Sequence, residues 1–263
     1  MGSRRIFLNT ITMLLAAPEV ELETFLTKIF NDTLAGPANA VLKMVGLHEE
    51  ARPWDNALPM EILVILLIAG LFAYLRANLS VDKPGALQHM VEEVYNFLKA
   101  GAEETGIHHP ERYLPMFCTL FFLILFGNLI GLIPGFEAPT MGYLMPLGCA
   151  VIVFLYYNFH GFRVQGPVNY LKHFAGPIWW MAPLMFVIEI VSHFARPMSL
   201  TLRLRANMFA GEQVTNAFID LTYLIVPVVF MALHVFVSFL QAYIFSLMAI
   251  IYVSGSVEEH HEH

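Results

Sequence analysis

The sequence predicts an all-α integral membrane protein: about five membrane-embedded helices plus an amphipathic surface helix, the last two embedded helices long and strongly tilted as an antiparallel hairpin. Three observations predict this. Only 13% of residues are charged against 57% hydrophobic, with a mean hydropathy of +0.63, whereas a soluble domain carries about 25% charged residues. The apolar runs are continuous and lack the alternation of barrel strands, so each span satisfies its own backbone as a helix. The final two apolar segments are far longer than a bilayer requires.

The elements follow in order. Residues 1–56 form an N-terminal extracytoplasmic or interfacial segment, and residues 57–263 the membrane domain. Residues 1–17 hold two arginines before a short apolar run, which suits a leader segment or a surface helix equally. Residues 21–47 mix apolar and polar positions, and Gly36-Pro37 divides them into two short interfacial helices. Trp54 stands where an interface anchor belongs. Span one covers residues 58–75, with Glu61 near its start at the interface. Residues 84–104 follow with Leu87, Val91, Val94 and Leu98 on one helical face and Glu92, Glu93, Asn96 and Lys99 on another, an amphipathic helix for the membrane surface or a partner helix. Span two covers 114–133 and includes Gly127 and Gly131, a small-xxx-small pair that permits close contact; Asn128 between them reads as interhelical glue. Span three covers 143–159. The long hairpin occupies 183–253 as segments 183–220 and 223–253, with Pro197 a kink point.

Charge sets orientation and excludes several classes. Arg76 and Lys83 follow span one, Arg163, Lys172 and His173 follow span three, and the loop after span two has no Lys or Arg. The positive-inside rule then puts the N-terminus outside and the C-terminus in the cytoplasm, and Trp179 and Trp180 mark re-entry. A net charge of −7 and a pI near 5.8 speak against a nucleic-acid partner. Cys118 and Cys149 fall inside predicted spans, as small buried apolar groups with no disulfide or metal role. The Glu/His-rich tail, 258–263, reads as a solvated end. No phosphate-binding loop is present and no cofactor is called for, so ATP chemistry lies on another chain.

Residues 199–212, SLTLRLRANMFAGE, organise the rest. They place Arg203, Arg205, Asn207 and Glu212 inside an apolar region, where a central charge costs roughly 2.5–3.5 kcal/mol on insertion scales. Arg203, flanked by polar groups at helical spacing, reads as functional; Arg205 stands open between function and a snorkelling or ion-paired role. If the two long segments turn near residue 222, Arg203 falls level with Gln241 and Glu212 with His234. The second pair then lies about 10–13 Å nearer the outside. Glu189 lies on the inner side of Arg203. Glu212 and His234 can take and release a proton, while Asn207, Ser238 and Gln241 can hold water. An arginine keeps its proton, so Arg203 blocks direct passage and holds a neighbouring carboxylate ionised.

Three stretches resemble subunit a of the F-type ATP synthase: FGNLIGLIPG (126–135), ARPMSLTLRLRANMFAGE (195–212) and LQAYIFSLMAIIYVSGSVEEH (240–260). The resemblance covers residue 58 onward. It implies that Arg203 is the stator arginine facing the carboxylate of a rotating c-subunit ring. It implies that Asn207, Glu212, His234 and Gln241 line an outer half-channel, and Glu189 and Ser199 an inner one. The partners implied are the c-ring, the b-type peripheral stalk and the rest of the synthase, in a bacterial inner membrane. Arg205 departs from the family, many members carrying an apolar residue there. The function expected is a non-catalytic stator that carries protons through two offset half-channels. The rivals are a secondary ion-coupled transporter, which the lack of repeated halves disfavours, and a non-conducting structural subunit.

Overall fold

The computed structural model describes residues 25–45, 56–81, 83–107, 109–133, 136–166, 182–221 and 225–257. The readings at residues 1–17, Trp54, Lys172, His173, Trp179, Trp180, the turn at 222 and the tail lie outside them. The chain divides into two compact units, residues 1–56 and 57–263. Among the described residues there are seven α-helices and no strand, the all-α class expected.

In the first unit, α1 is one helix, Phe25–Val45, where two short ones were expected. Gly36-Pro37 does not divide it, for a physical reason. Proline removes one N–H, leaving only the Thr33 carbonyl without its helical donor. The residue before it is glycine, with no Cβ to strike the proline ring. The Thr33 hydroxyl also donates to the Ile29 carbonyl at 2.6 Å across the preceding turn.

The second unit opens with α2, Ala57–Ala77, whose Met60 and Val64 are buried while Ile65, Leu66 and Leu67 face outward. Apolar groups on both sides are what a helix between protein and lipid needs. The amphipathic helix α3, Ala86–Glu104, buries Leu98 and Ala102 against α4 (Leu114–Ile130) and α7 (Ile225–Val257), with Val91 and Val94 partly covered. Leu87, expected on that face, stays exposed. Gln88 fastens the α2–α3 connection, accepting from the Ser80 N–H at 3.2 Å and donating to the Ser80 carbonyl at 3.1 Å.

The central helix is α4, which is apolar all round and packs along α7 through Phe117, Phe121 and Ile124. A helix with no polar face belongs inside a bundle. Lipid tails are as apolar as leucine, so close packing holds these helices together more than escape from water does. The small-xxx-small pair of α4 shows this: a Cβ on Gly131 would stand 2.6 Å from the Ala138 Cβ, and one on Gly127 would stand 2.9 Å from the Met145 Cε.

Helix α5, Leu144–Gln165, runs past the expected end at 159 and takes Arg163 inside it. Gln165 Nε2 donates to the Ser256 carbonyl at 3.0 Å, holding the extra turn to α7, and Gly166 ends the helix at φ +77°, a backbone that favours glycine. The hairpin pairs α6, Ala182–Leu221, with α7. At ~1.5 Å per residue these helices are about 60 and 50 Å long, well beyond a ~30 Å hydrocarbon core.

Candidate functional site

Helix α6 has two faces. Leu200, Leu204 and Met208, four residues apart, are buried against the bundle. On the other side Leu184, Val187, Val191, Phe194, Met198 and Leu202 are exposed. Pro197 lies within the helix and offers no N–H to the His193 carbonyl, while the Thr201 hydroxyl donates to the Pro197 carbonyl at 2.8 Å. The helix therefore continues through proline and delivers Arg203 to the border between its faces.

Arg203 is half-buried, and among the described residues no hydrogen bond, ion pair or ring contact reaches it. Ser199 and Ala206, one turn either side, are small and exposed. Arg205 is different. Its Nε donates to the Met141 carbonyl at 3.1 Å, and its guanidinium carbon stands 3.3 Å from the centroid of the Tyr143 ring. The partner this charge requires is thus supplied by the 3₁₀ turn Pro139–Met141 and the residues after it, ahead of α5. Guanidinium on an aromatic face is worth about 0.5–2 kcal/mol, more where water is excluded.

Toward the C-terminal end of α6, Asn207 Nδ2 donates to Gln241 Oε1 at 2.7 Å. Gln241 is therefore bonded one turn beyond Arg203, a pairing that the expected register did not contain. The His234 imidazole lies against Gly211: an added Cβ there would be 3.1 Å from Cε1 and 3.2 Å from Nδ1. Glycine at 211 is what lets the ring approach the α6 backbone. Glu212 is the next residue and is half-buried. His234, Ser238 and Gln241 recur at i, i+4, i+7 on α7. Among the described residues His234 Nε2, Ser238 Oγ and Gln241 Nε2 are buried without a hydrogen-bond partner. Buried polar atoms are almost always satisfied, by protein or by water, so this column suits ordered water. Asn128 is fully buried, and among the described residues neither end of its amide has a partner.

Toward the N-terminal end of α6, Glu189 pairs with Arg196 at 3.3 Å, and Arg196 lies 5.4 Å above the centroid of Tyr252 in α7. Ser199 is exposed. Sequence reasoning missed Arg196, His193, Tyr157, Asn158 and Tyr252. One signal could have found the first two. Glu189, His193, Arg196, Leu200 and Arg203 recur at helical spacing along a single stripe of α6.

Together these features define a multi-helix membrane protein whose longest hairpin carries an arginine between two polar groups of side chains. The ATP synthase A chain family profile matches residues 58–254. ATP synthase subunit a of Solibacter usitatus is 57% identical over 235 residues, 89% of this chain and 100% of that relative. The subunit a of Koribacter versatilis is 49% identical over 91% of this chain and 99% of the relative, and that of Geobacter sulfurreducens 46% identical over 76% and 86%. The chain belongs to the ATP synthase A chain family, the non-catalytic, proton-channel membrane subunits of F-type ATP synthase.

Proposed function

We propose that this chain is the stator of the proton turbine, with two half-channels that meet at Arg203 and never join. The observation that carries this reading is the half-buried Arg203 guanidinium, without a partner among the described residues, beside small exposed neighbours on an uncovered apolar face. A charge in that setting requires a counter-charge, and the ring of c subunits supplies it as a carboxylate. A b-type peripheral stalk holds the subunit still against the ring. The orientation is N-terminus outside and C-terminus in the cytoplasm of a bacterial inner membrane, with residues 1–56 on the outer side.

A proton enters from outside by Glu212 and His234. It moves along water held by Ser238, Asn207 and Gln241 and neutralises the ring carboxylate, which can then turn into lipid. After nearly a full turn that carboxylate meets the inner route, near Ser199 and Glu189, and gives up its proton. Arg203 keeps the two routes apart because a guanidinium neither loses its proton nor passes one on. The membrane potential contributes about 2.3 kcal/mol per charge per 100 mV. The test is ATP-driven proton pumping by the whole synthase in vesicles. Arg203→Ala abolishes coupled pumping while the complex still assembles; intact pumping in that variant overturns the reading.

A further inference from the structure

His193 is a buried titratable side chain of α6 to which the path above gives no role. Only 7% of it is exposed, and an ionisable group inside a membrane is costly to keep. Of the buried positions that follow it on α6, 200, 204 and 208 are apolar, and Thr201 gives its hydroxyl to the Pro197 carbonyl.

Its hydrogen bonds determine which nitrogen carries the proton. His193 Nε2 stands 3.0 Å from Asn158 Oδ1, and the Tyr157 hydroxyl lies 3.3 Å from Nδ1 and 3.4 Å from Nε2, so that with Nε2 committed to Asn158 the hydroxyl is left to serve Nδ1. The Asn158 amide is itself oriented, since its Nδ2 donates to the Phe154 carbonyl at 2.6 Å, one turn back in α5. Its oxygen therefore faces the imidazole. An amide oxygen only accepts, so Nε2 bears the hydrogen. In the neutral ring Nδ1 keeps its lone pair and the Tyr157 hydroxyl donates to it. In the imidazolium Nδ1–H donates to the Tyr157 oxygen instead. Addition or loss of the proton at Nδ1, with rotation of one hydroxyl, interconverts the two arrangements.

Among the described residues, these charged and titratable groups surround the ring. On α6 they are Glu189 and Arg196, paired at 3.3 Å. From α5 the hydroxyl of Tyr157 faces it. From α7 comes Tyr252, whose ring lies 5.9 Å from that of Tyr157 and beneath Arg196. The Glu189–Arg196 pair sets one negative and one positive charge on the same helix as the ring.

We propose that His193 is a proton carrier of the inner route, binding and releasing the proton at Nδ1 while Asn158 and Tyr157 hold the ring in position. This rests on the stator reading above and names a further residue for its inner half. The step balances without electron transfer. A ring carboxylic acid gives its proton to water in the inner route and becomes carboxylate. The proton crosses the about 15 Å of helix between the level of Arg203 and that of His193. The Nδ1 lone pair takes it, and the ring becomes imidazolium. The same nitrogen then releases it to the Glu189 carboxylate or to water at the cytoplasmic face. Pumping driven by ATP runs these steps in reverse.

The test uses the whole synthase in vesicles with the cytoplasmic face outward. ATP-driven proton uptake is measured across external pH about 5.5–8.5, a range that brackets ordinary histidine titration, and each variant's profile is set beside that of the wild type. His193→Gln retains a donor and an acceptor but cannot titrate. It lowers uptake about tenfold or more and flattens the pH profile. Asn158→Asp sets a carboxylate against Nε2–H and moves the midpoint up by about one pH unit or more. This second variant decides the matter if His193→Gln fails to assemble with the ring. Wild-type rate and profile in His193→Gln, or an unmoved midpoint in Asn158→Asp, overturns the role of His193. Arg203→Ala in the same vesicles separates the two readings. If it abolishes pumping while the histidine results are negative, only His193 loses its role; if it still pumps, the stator reading falls with it.

Discussion

Three arginines on one helix illustrate how burial alone fails to define a role. Arg196, Arg203 and Arg205 all lie on α6 and all are partly buried. Arg196 is neutralised by Glu189, and Arg205 is seated on a carbonyl and a ring. Arg203 has no such partner among the described residues. Arg205→Leu should therefore reduce thermal stability by about 1–2 kcal/mol, read by detergent-solubilised unfolding, while retaining a measurable fraction of coupled pumping. Complete loss of coupling with stability unchanged would mean that Arg205 also acts on the ring. Gly211→Ala sets a methyl 3.1 Å from His234 Cε1, so the ring must shift by a few tenths of an ångström, and overpacking that the ring cannot relieve costs about 1–3 kcal/mol. Proton pumping by that variant should slow, and a smaller partner at 234 should recover part of it. Which glycine mattered could not be read from the sequence, because Gly211 acquires its meaning only when α7 lies against it.

At the scale of elements, apolar run length located the helices but not their ends. Helix α1 continues through Gly36-Pro37 because a single lost hydrogen bond does not stop a helix that glycine relieves of a clash. Helix α5 continues through Arg163 because Gln165 reaches the Ser256 carbonyl. Neither signal is local: the first depends on a balance of small terms and the second on a residue far along the chain. Depth along the hairpin did not by itself say which side chains meet: His234 lies against Gly211, beside the expected Glu212, while Gln241 bonds to Asn207, one turn from Arg203. The α4–loop contact supplies a prediction at this scale. Gly131→Ala would bring its Cβ to 2.6 Å from that of Ala138. Backbone atoms lie only a little farther, with the Ala138 N at 3.0 Å, so the loop must move. The variant should lower the unfolding temperature and accelerate proteolysis of the 136–143 loop; a wild-type melting curve would show that the loop yields freely.

Across the whole molecule, the exposed apolar surface is the clearest sign that the described chain is one part of an assembly. The outward faces of α2 and α6 are apolar, and such faces require lipid or protein. The face on α6 adjoins Arg203. Affinity purification in mild detergent should therefore recover this chain with an oligomeric ring of small hairpin proteins. A monodisperse chain that conducts protons without the ring would contradict the stator reading. Glu189→Gln should assemble normally and slow pumping several-fold, since it removes the carboxylate paired with Arg196; rates equal to wild type would remove Glu189 from the route.

Membrane residence, the all-helical class, the overlong hairpin and the family were all legible in the chain itself. They depend on composition, run length and short motifs, which are properties of contiguous residues. The tertiary structure alone decided which polar groups meet: Arg205 on Tyr143, Asn207 on Gln241, His234 on Gly211, and His193 on Asn158 and Tyr157. Those contacts join positions far apart along the chain. They depend on the rotation and register of packed helices, which side chains throughout the bundle set together and no single stretch encodes.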